Sequence, residues 1–161
     1  MKKCYRGVAL ILGCLALFGL SGCAGAKTVG KNLPTDKITE FYWTLDASTY
    51  PPEFQRYRFY VQDGLRFFAH EKREGDHWPL TEADATVTGT VPLTDADWEA
   101  FLACLDGGTV TKREASTSSG GSGPWLYLYW QGDRGQYQVF TFATNQKAAD
   151  FETLCLRLKG E

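Results

Sequence analysis

The stretch Gln55–Lys72, QRYRFYVQDGLRFFAHEK, decides the fold. Two runs rich in aromatic residues flank Asp63-Gly64, a dipeptide that readily takes the positive backbone angles of a two-residue type I′ turn. With those residues at the turn, the numbers of cross-strand partners sum to 127. Side chains alternate across a strand, so Tyr57, Phe59, Val61, Arg66, Phe68 and His70 share one face. Arg56, Arg58, Tyr60, Phe67, Ala69 and Glu71 share the other. Phe59 opposite Phe68 marks the core side. On the second face Arg56 meets Glu71 and Tyr60 meets Phe67, pairs that stabilise a solvated, aromatic and cationic surface.

Upstream, Ile38–Leu45 (ITEFYWTL) reads as a strand stopped by Asp46-Ala47-Ser48 and Pro51-Pro52. Downstream, Glu74–Asp84 is a polar loop and Ala85–Val91 a short strand closed by Pro92. Thr94 is placed to cap a helix whose first turn carries Asp95 and Asp97, where negative charge suits the helix dipole. Trp98, Phe101, Leu102 and Leu105 recur with helical spacing, and Gly107-Gly108 end that helix. Thr109–Ala115 is a further strand candidate, followed by a flexible Ser/Gly insert at Ser116–Gly123. Trp125–Gln131 and Gln136–Phe142 are strand candidates joined through Gly132-Asp133-Arg134-Gly135. A second helix from Thr144 or Asn145 puts Ala148, Phe151, Leu154, Cys155 and Leu158 on one side. The order of strands, helix, strands, helix predicts an α+β domain over residues 37–161, a mainly antiparallel sheet with two amphipathic helices packed on one face. Both halves end in a strand, a Thr and a helix, with Cys104-Leu105 and Cys155-Leu156 near corresponding ends. A degenerate pseudo-repeat and chance similarity explain this equally well.

The first 22 residues have the layout of a secretory signal: Lys2, Lys3 and Arg6, then an apolar run from Val8 to Leu20 too short to span a bilayer comfortably. They end in Leu20-Ser21-Gly22-Cys23, which resembles the lipobox of bacterial lipoproteins. The resemblance implies that the Cys23 thiol accepts a diacylglyceryl group and becomes the new N-terminus, carrying acyl chains of the palmitate kind. Two chains give lasting membrane attachment where one is marginal. The alternatives are ordinary cleavage near Ala24 or Ala26, or an uncleaved anchor. Residues 23–36 (CAGAKTVGKNLPTD) lack an apolar period and read as a lipidated N-terminus followed by a flexible tether.

After removal of residues 1–22, 139 residues remain, enough for one domain, with 14 basic against 19 acidic residues and a formal charge of −5. That balance argues against nucleic acid as a partner. Cys104 and Cys155 are the only other cysteines beyond the signal, too few for a disulfide scaffold. They either bridge the two helices or stand as separately buried thiols.

The lipobox together with EFYWTL, QRYRFYVQDG, LTDADWEAFL, GGTVTKRE and SGPWLYLYW resembles a family of small uncharacterised lipoproteins of gut-dwelling Firmicutes, over roughly Ile38 to Leu156. The resemblance implies a domain on the outer face of the cytoplasmic membrane of a Gram-positive envelope. It supplies no catalytic residues.

Residue chemistry gives no catalytic site, metal site or cofactor specific enough to name a reaction. His70 and His77 sit in HEKREGDH with three carboxylates, but the spacing is not that of a zinc helix, and the segment runs from a strand end into a loop. A metal-dependent hydrolase centred on these histidines is the enzyme alternative. No serine lies in a Gly-x-Ser-x-Gly elbow, and Gly120–Gly123 lacks the Lys-Ser/Thr of a phosphate loop. Alternation in WLYLYW sends Trp125, Tyr127 and Tyr129 to one face and Leu126, Leu128 and Trp130 to the other. The first set, joined by Tyr60, Phe67, Arg56 and Arg58 from the hairpin, is the candidate ligand platform, against the plainer account of rings half-buried on an exposed sheet. The expected role is a binding module for an envelope protein, a cell-wall glycan or a host-derived ligand. A protease inhibitor presenting the Glu114–Gly123 loop is a subtype resting on fold analogy, and a structural subunit of an envelope complex is a third class.

Overall fold

Asp63 and Gly64 both take positive φ, 52° and 77°, and close the hairpin of β3 (Glu53–Gln62) and β4 (Leu65–Glu74) in the register read from the sequence. Arg56 lies opposite Glu71, Phe59 opposite Phe68 and Tyr60 opposite Phe67. The computed structural model describes residues 25–113, 123–135 and 137–161. The 1–22 signal segment, Cys23 and most of the 116–123 insert lie outside the described residues.

Around this hairpin are β1 (Lys27–Thr28), β2 (Ile38–Ala47), β5 (Ala85–Pro92), α1 (Asp95–Leu105), β6 (Thr109–Lys112), β7 (Trp125–Trp130), β8 (Tyr137–Thr141) and α2 (Asn145–Lys159). The strands form one eight-stranded sheet in the order β1-β6-β8-β7-β2-β3-β4-β5. Every strand pair in it is antiparallel. The domain is therefore α+β on an open sheet. The first half is a simple meander from β2 to β5, whereas in the second half β8 comes to lie between β6 and β7.

Phe41, Phe59, Phe68 and Leu128 are essentially inaccessible and belong to one core cluster, joined there by Phe101 and Cys104 from α1 and by Phe151, Leu154 and Cys155 from α2. Phe59 stacks on Phe101 with ring centroids 4.1 Å apart, and Phe41 meets Phe151 edge-on at 5.3 Å. Thr94 caps α1 by accepting a hydrogen bond from the Asp97 backbone while Asp97 accepts one from Thr94 N–H, a reciprocal capping box. The Thr144 hydroxyl caps α2 by accepting from Lys147 N–H, without a reciprocal bond. Cys104 and Cys155 are both buried and unbridged.

The segment expected to be a flexible tether is folded over much of its length. Lys27 and Thr28 pair with Val110 and Thr109 of β6. Val29 and Leu33 are buried in the core, and Thr35–Lys37 form a 3-10 turn leading into β2. Val29 N–H donates to Gly108 O (2.9 Å) and Gly107 N–H donates to Val29 O (3.1 Å). Gly108 itself packs against Phe140, since a Cβ on it would stand 2.4 Å from that ring. Two apolar residues four apart among Gly, Lys and Asn carry no periodic signal, and their partners lie some eighty residues away.

Candidate functional site

Register aligns three rows on the sheet face opposite the aromatic core. One runs Phe67, Tyr60, Glu40, Tyr129; the next Ala69, Arg58, Tyr42, Tyr127, Val139; the third Glu71, Arg56, Thr44, Trp125. The seven residues expected as a platform thus share one face, as alternation requires. Four of them, Trp125, Tyr127, Tyr129 and Arg56, line a concavity of about 400 Å³ together with Tyr42, Thr44 and Asp46. Tyr60 and Phe67 stack on each other 5.3 Å apart at the bottom of the hairpin and do not line it. Arg58 lies between, its guanidinium 4.2 Å from the Tyr60 ring centre and 5.5 Å from that of Tyr42.

Glu40 is the hub of this surface. It accepts hydrogen bonds from Tyr42 OH (2.7 Å) and Arg58 Nε (2.6 Å). Burial and the neighbouring Glu40 carboxylate push the Tyr42 hydroxyl up to about 12, so it stays a neutral donor. Tyr42 and Tyr129 meet edge-to-face at 6.0 Å. Trp125 is 41% exposed at the rim. Arg113 reaches over the Tyr127 ring at 5.0 Å, a cation–π contact that holds that ring's orientation.

Arg56 differs from Arg58. Its guanidinium lies 5.0 Å from the Phe54 ring centre and 5.9 Å from Tyr42, while its ionic partner Glu71 is at 3.7 Å. Glu71 is bound more closely by Arg73, at 2.6 Å. Arg56 Nε is buried and has no hydrogen-bond partner among the described residues. A buried donor left without an acceptor costs free energy.

The two histidines occupy different environments. His70 lies on the core-side face, its ring 5.2 Å from Tyr57 and its Nε2 3.3 Å from Gln55 Nε2. His77 lies in the loop beyond β4, 3.6 Å from Asp76 and 3.4 Å from Asp84. Among the described residues no group of three or more His, Cys, Asp and Glu side chains is arranged to hold a metal ion. No helix among them is long and apolar enough to cross a membrane.

Tyr42, Thr44 and Asp46 were missed as site residues, although the signal was present: alternation along ITEFYWTLDA puts Glu40, Tyr42, Thr44 and Asp46 on one face. Fold and site together define an open-sheet α+β protein with an aromatic, cationic face left accessible. Comparison with known protein families, with characterised proteins and with solved structures found no match.

Proposed function

We propose that this protein is a lipid-anchored recognition module whose open sheet face binds a cell-wall glycan outside the cytoplasmic membrane. The observation that carries this reading is the concavity itself: three partly exposed rings, Trp125, Tyr127 and Tyr129, beside the polar groups of Thr44, Asp46 and Arg56. Sugar rings offer C–H faces that pack on aromatic rings and hydroxyls that pair with carboxylate and guanidinium groups. Arg56 lines the concavity and supplies the cationic group of this surface. Among the described residues no base, nucleophile and oxyanion donor converge there, which favours binding over turnover.

In this reading Cys23 carries the anchor, and β1 beginning at Lys27 leaves only Ala24, Gly25 and Ala26 between lipid and fold. The domain is then held against the membrane surface more closely than a free 13-residue tether would hold it. The two helices form a single layer over the Phe41 and Phe59 face, and the strands-then-helix pseudo-repeat belongs to the same picture.

A photo-crosslinking amino acid at position 127 in intact cells tests the ligand class. A glycan ligand gives an adduct trimmed by a wall-digesting muramidase. An adduct removed only by protease would instead identify an envelope protein.

A further inference from the structure

β5 is one edge of the sheet, and among the described residues no strand pairs with its outer side. A free edge offers a row of backbone N–H and C=O groups to any chain of matching register, and natural edges are blunted by charges, prolines and bulges. Here those devices sit at the two ends: Thr86 is skipped in the ladder with β4, and Pro92 closes the strand. Between them Val87-Thr88-Gly89-Thr90-Val91 carries no charge and reads the same in both directions. We infer that this edge is the interface of a two-fold dimer, in which β5 pairs antiparallel with β5 of a second copy of this chain about Gly89.

The backbone selects that register. Leu93 N–H donates to Arg66 O at 2.8 Å, so these two form a hydrogen-bonded pair. Such pairs alternate along an antiparallel ladder, so Val91, Gly89 and Val87 also turn their N–H and C=O groups inward, to Phe68, His70 and Lys72. Thr88 and Thr90 turn theirs outward. With the two-fold axis on Gly89, Thr88 exchanges both backbone bonds with the partner's Thr90. Val87 then meets the partner's Val91 across a non-hydrogen-bonded pair, where side chains come closest. An axis on Thr88 would set Val87 opposite a glycine. An axis on Thr90 would set Thr88 opposite Pro92, which has no N–H to give.

The side chains agree with the backbone. Val87 and Val91 are 40% and 38% exposed, and they lie with Gly89 on the core-side face. The pairing covers each valine with the partner's other valine, and on the opposite face it sets threonine against threonine. A peptide from another protein would find the same free backbone groups, but the palindrome matches a copy of itself. The contact is isologous, and opposed residues of an antiparallel pair point to one side, so both aromatic faces look the same way in the joined sheet.

Disulfide trapping of the full chain in non-ionic detergent, with copper phenanthroline as oxidant, tests the register. A Cβ built on Gly89 meets nothing within 4 Å. Opposed Cα atoms of a non-hydrogen-bonded pair are about 4.5 Å apart, within disulfide reach. Gly89→Cys should therefore give a covalent dimer on a non-reducing gel, in at least tenfold higher yield than Val87→Cys, whose two copies would lie about 13 Å apart along the strands. The unsubstituted chain, with Cys104 and Cys155 buried, gives the background. Adding Thr88→Pro, which removes only an outward N–H, should lower the Gly89→Cys yield at least tenfold. Thermal melting verifies that each variant is folded, and the contrast between positions 89 and 87 stands without the proline variant. A Gly89→Cys yield at background, or no higher than that of Val87→Cys, overturns the inference, as does a yield undiminished by Thr88→Pro in folded protein. None of these outcomes bears on glycan binding.

Discussion

Phe59 of β3 and Phe101 of α1 stack face to face, with ring centroids 4.1 Å apart and planes 1° from parallel. Both are fully buried, and Phe59 also touches Phe68 and Phe151. Phe101→Ala should destabilise the fold by ~3–5 kcal/mol, the range for removing a buried aromatic side chain. Adding Phe59→Ala should cost less than the sum of the two single changes, because the shared contact is lost only once. Urea unfolding of the two single variants and the double variant measures both effects.

Leu33 gives a sharper test of the folded N-terminal segment. It is 2% exposed. Leu33→Ala should cost ~2–5 kcal/mol, whereas a residue in a free tether would change stability by no more than ~0.5 kcal/mol. The amide of Val29, bonded to Gly108 O, should be protected in hydrogen exchange alongside β6, not exchange with the exposed chain before it.

The two thiols should be inert in the native protein. Burial raises the pKa of Cys104 and, more strongly, that of Cys155, so the reactive thiolate is scarce at neutral pH. A thiol-specific reagent should label neither in native protein with residues 1–23 removed, and both after denaturation without reductant. A single label or none in denatured protein would reveal a bridge.

His70 sets a pH dependence. Burial, and then the nearby Lys159 charge, hold its pKa below the ordinary value of 6.5, with Lys72 acting in the same direction and Glu161 opposing. The unfolded chain therefore binds more protons than the folded one as pH falls through 6.5, and stability falls with it until the lower folded pKa is passed. Melting temperature should drop between pH 7.5 and 5, and the drop should be smaller in His70→Gln. Identical slopes for the two proteins would remove His70 from the account.

Local chemistry made much of this structure legible in advance. The Asp63-Gly64 turn determines a register, and register determines both faces of the hairpin, so Phe59, Phe68, Arg56 and Tyr60 could be placed from sequence. The helices were legible because Thr94 and Thr144 cap periodic apolar stripes. Long-range relationships were not. That β7 pairs with β2, bringing Trp125 beside Thr44 and Tyr127 beside Tyr42, depends on a chain crossing that no local signal encodes. The docking of Val29 and Leu33 failed to show for the same reason. Tyr60 and Phe67 lie on the expected face yet outside the concavity, because sharing a face does not fix position along the strand.

The central claim is that the open face binds a wall glycan through its aromatic rings, and cosedimentation with purified Gram-positive cell walls tests it most directly. The account predicts saturable retention of the wild-type protein. It predicts affinity at least tenfold weaker in Tyr127→Ala, equivalent to ~1.4 kcal/mol, and no change in Glu99→Ala on the exposed side of α1. Equal retention of wild type and Tyr127→Ala, or no retention of the wild-type protein, would contradict it.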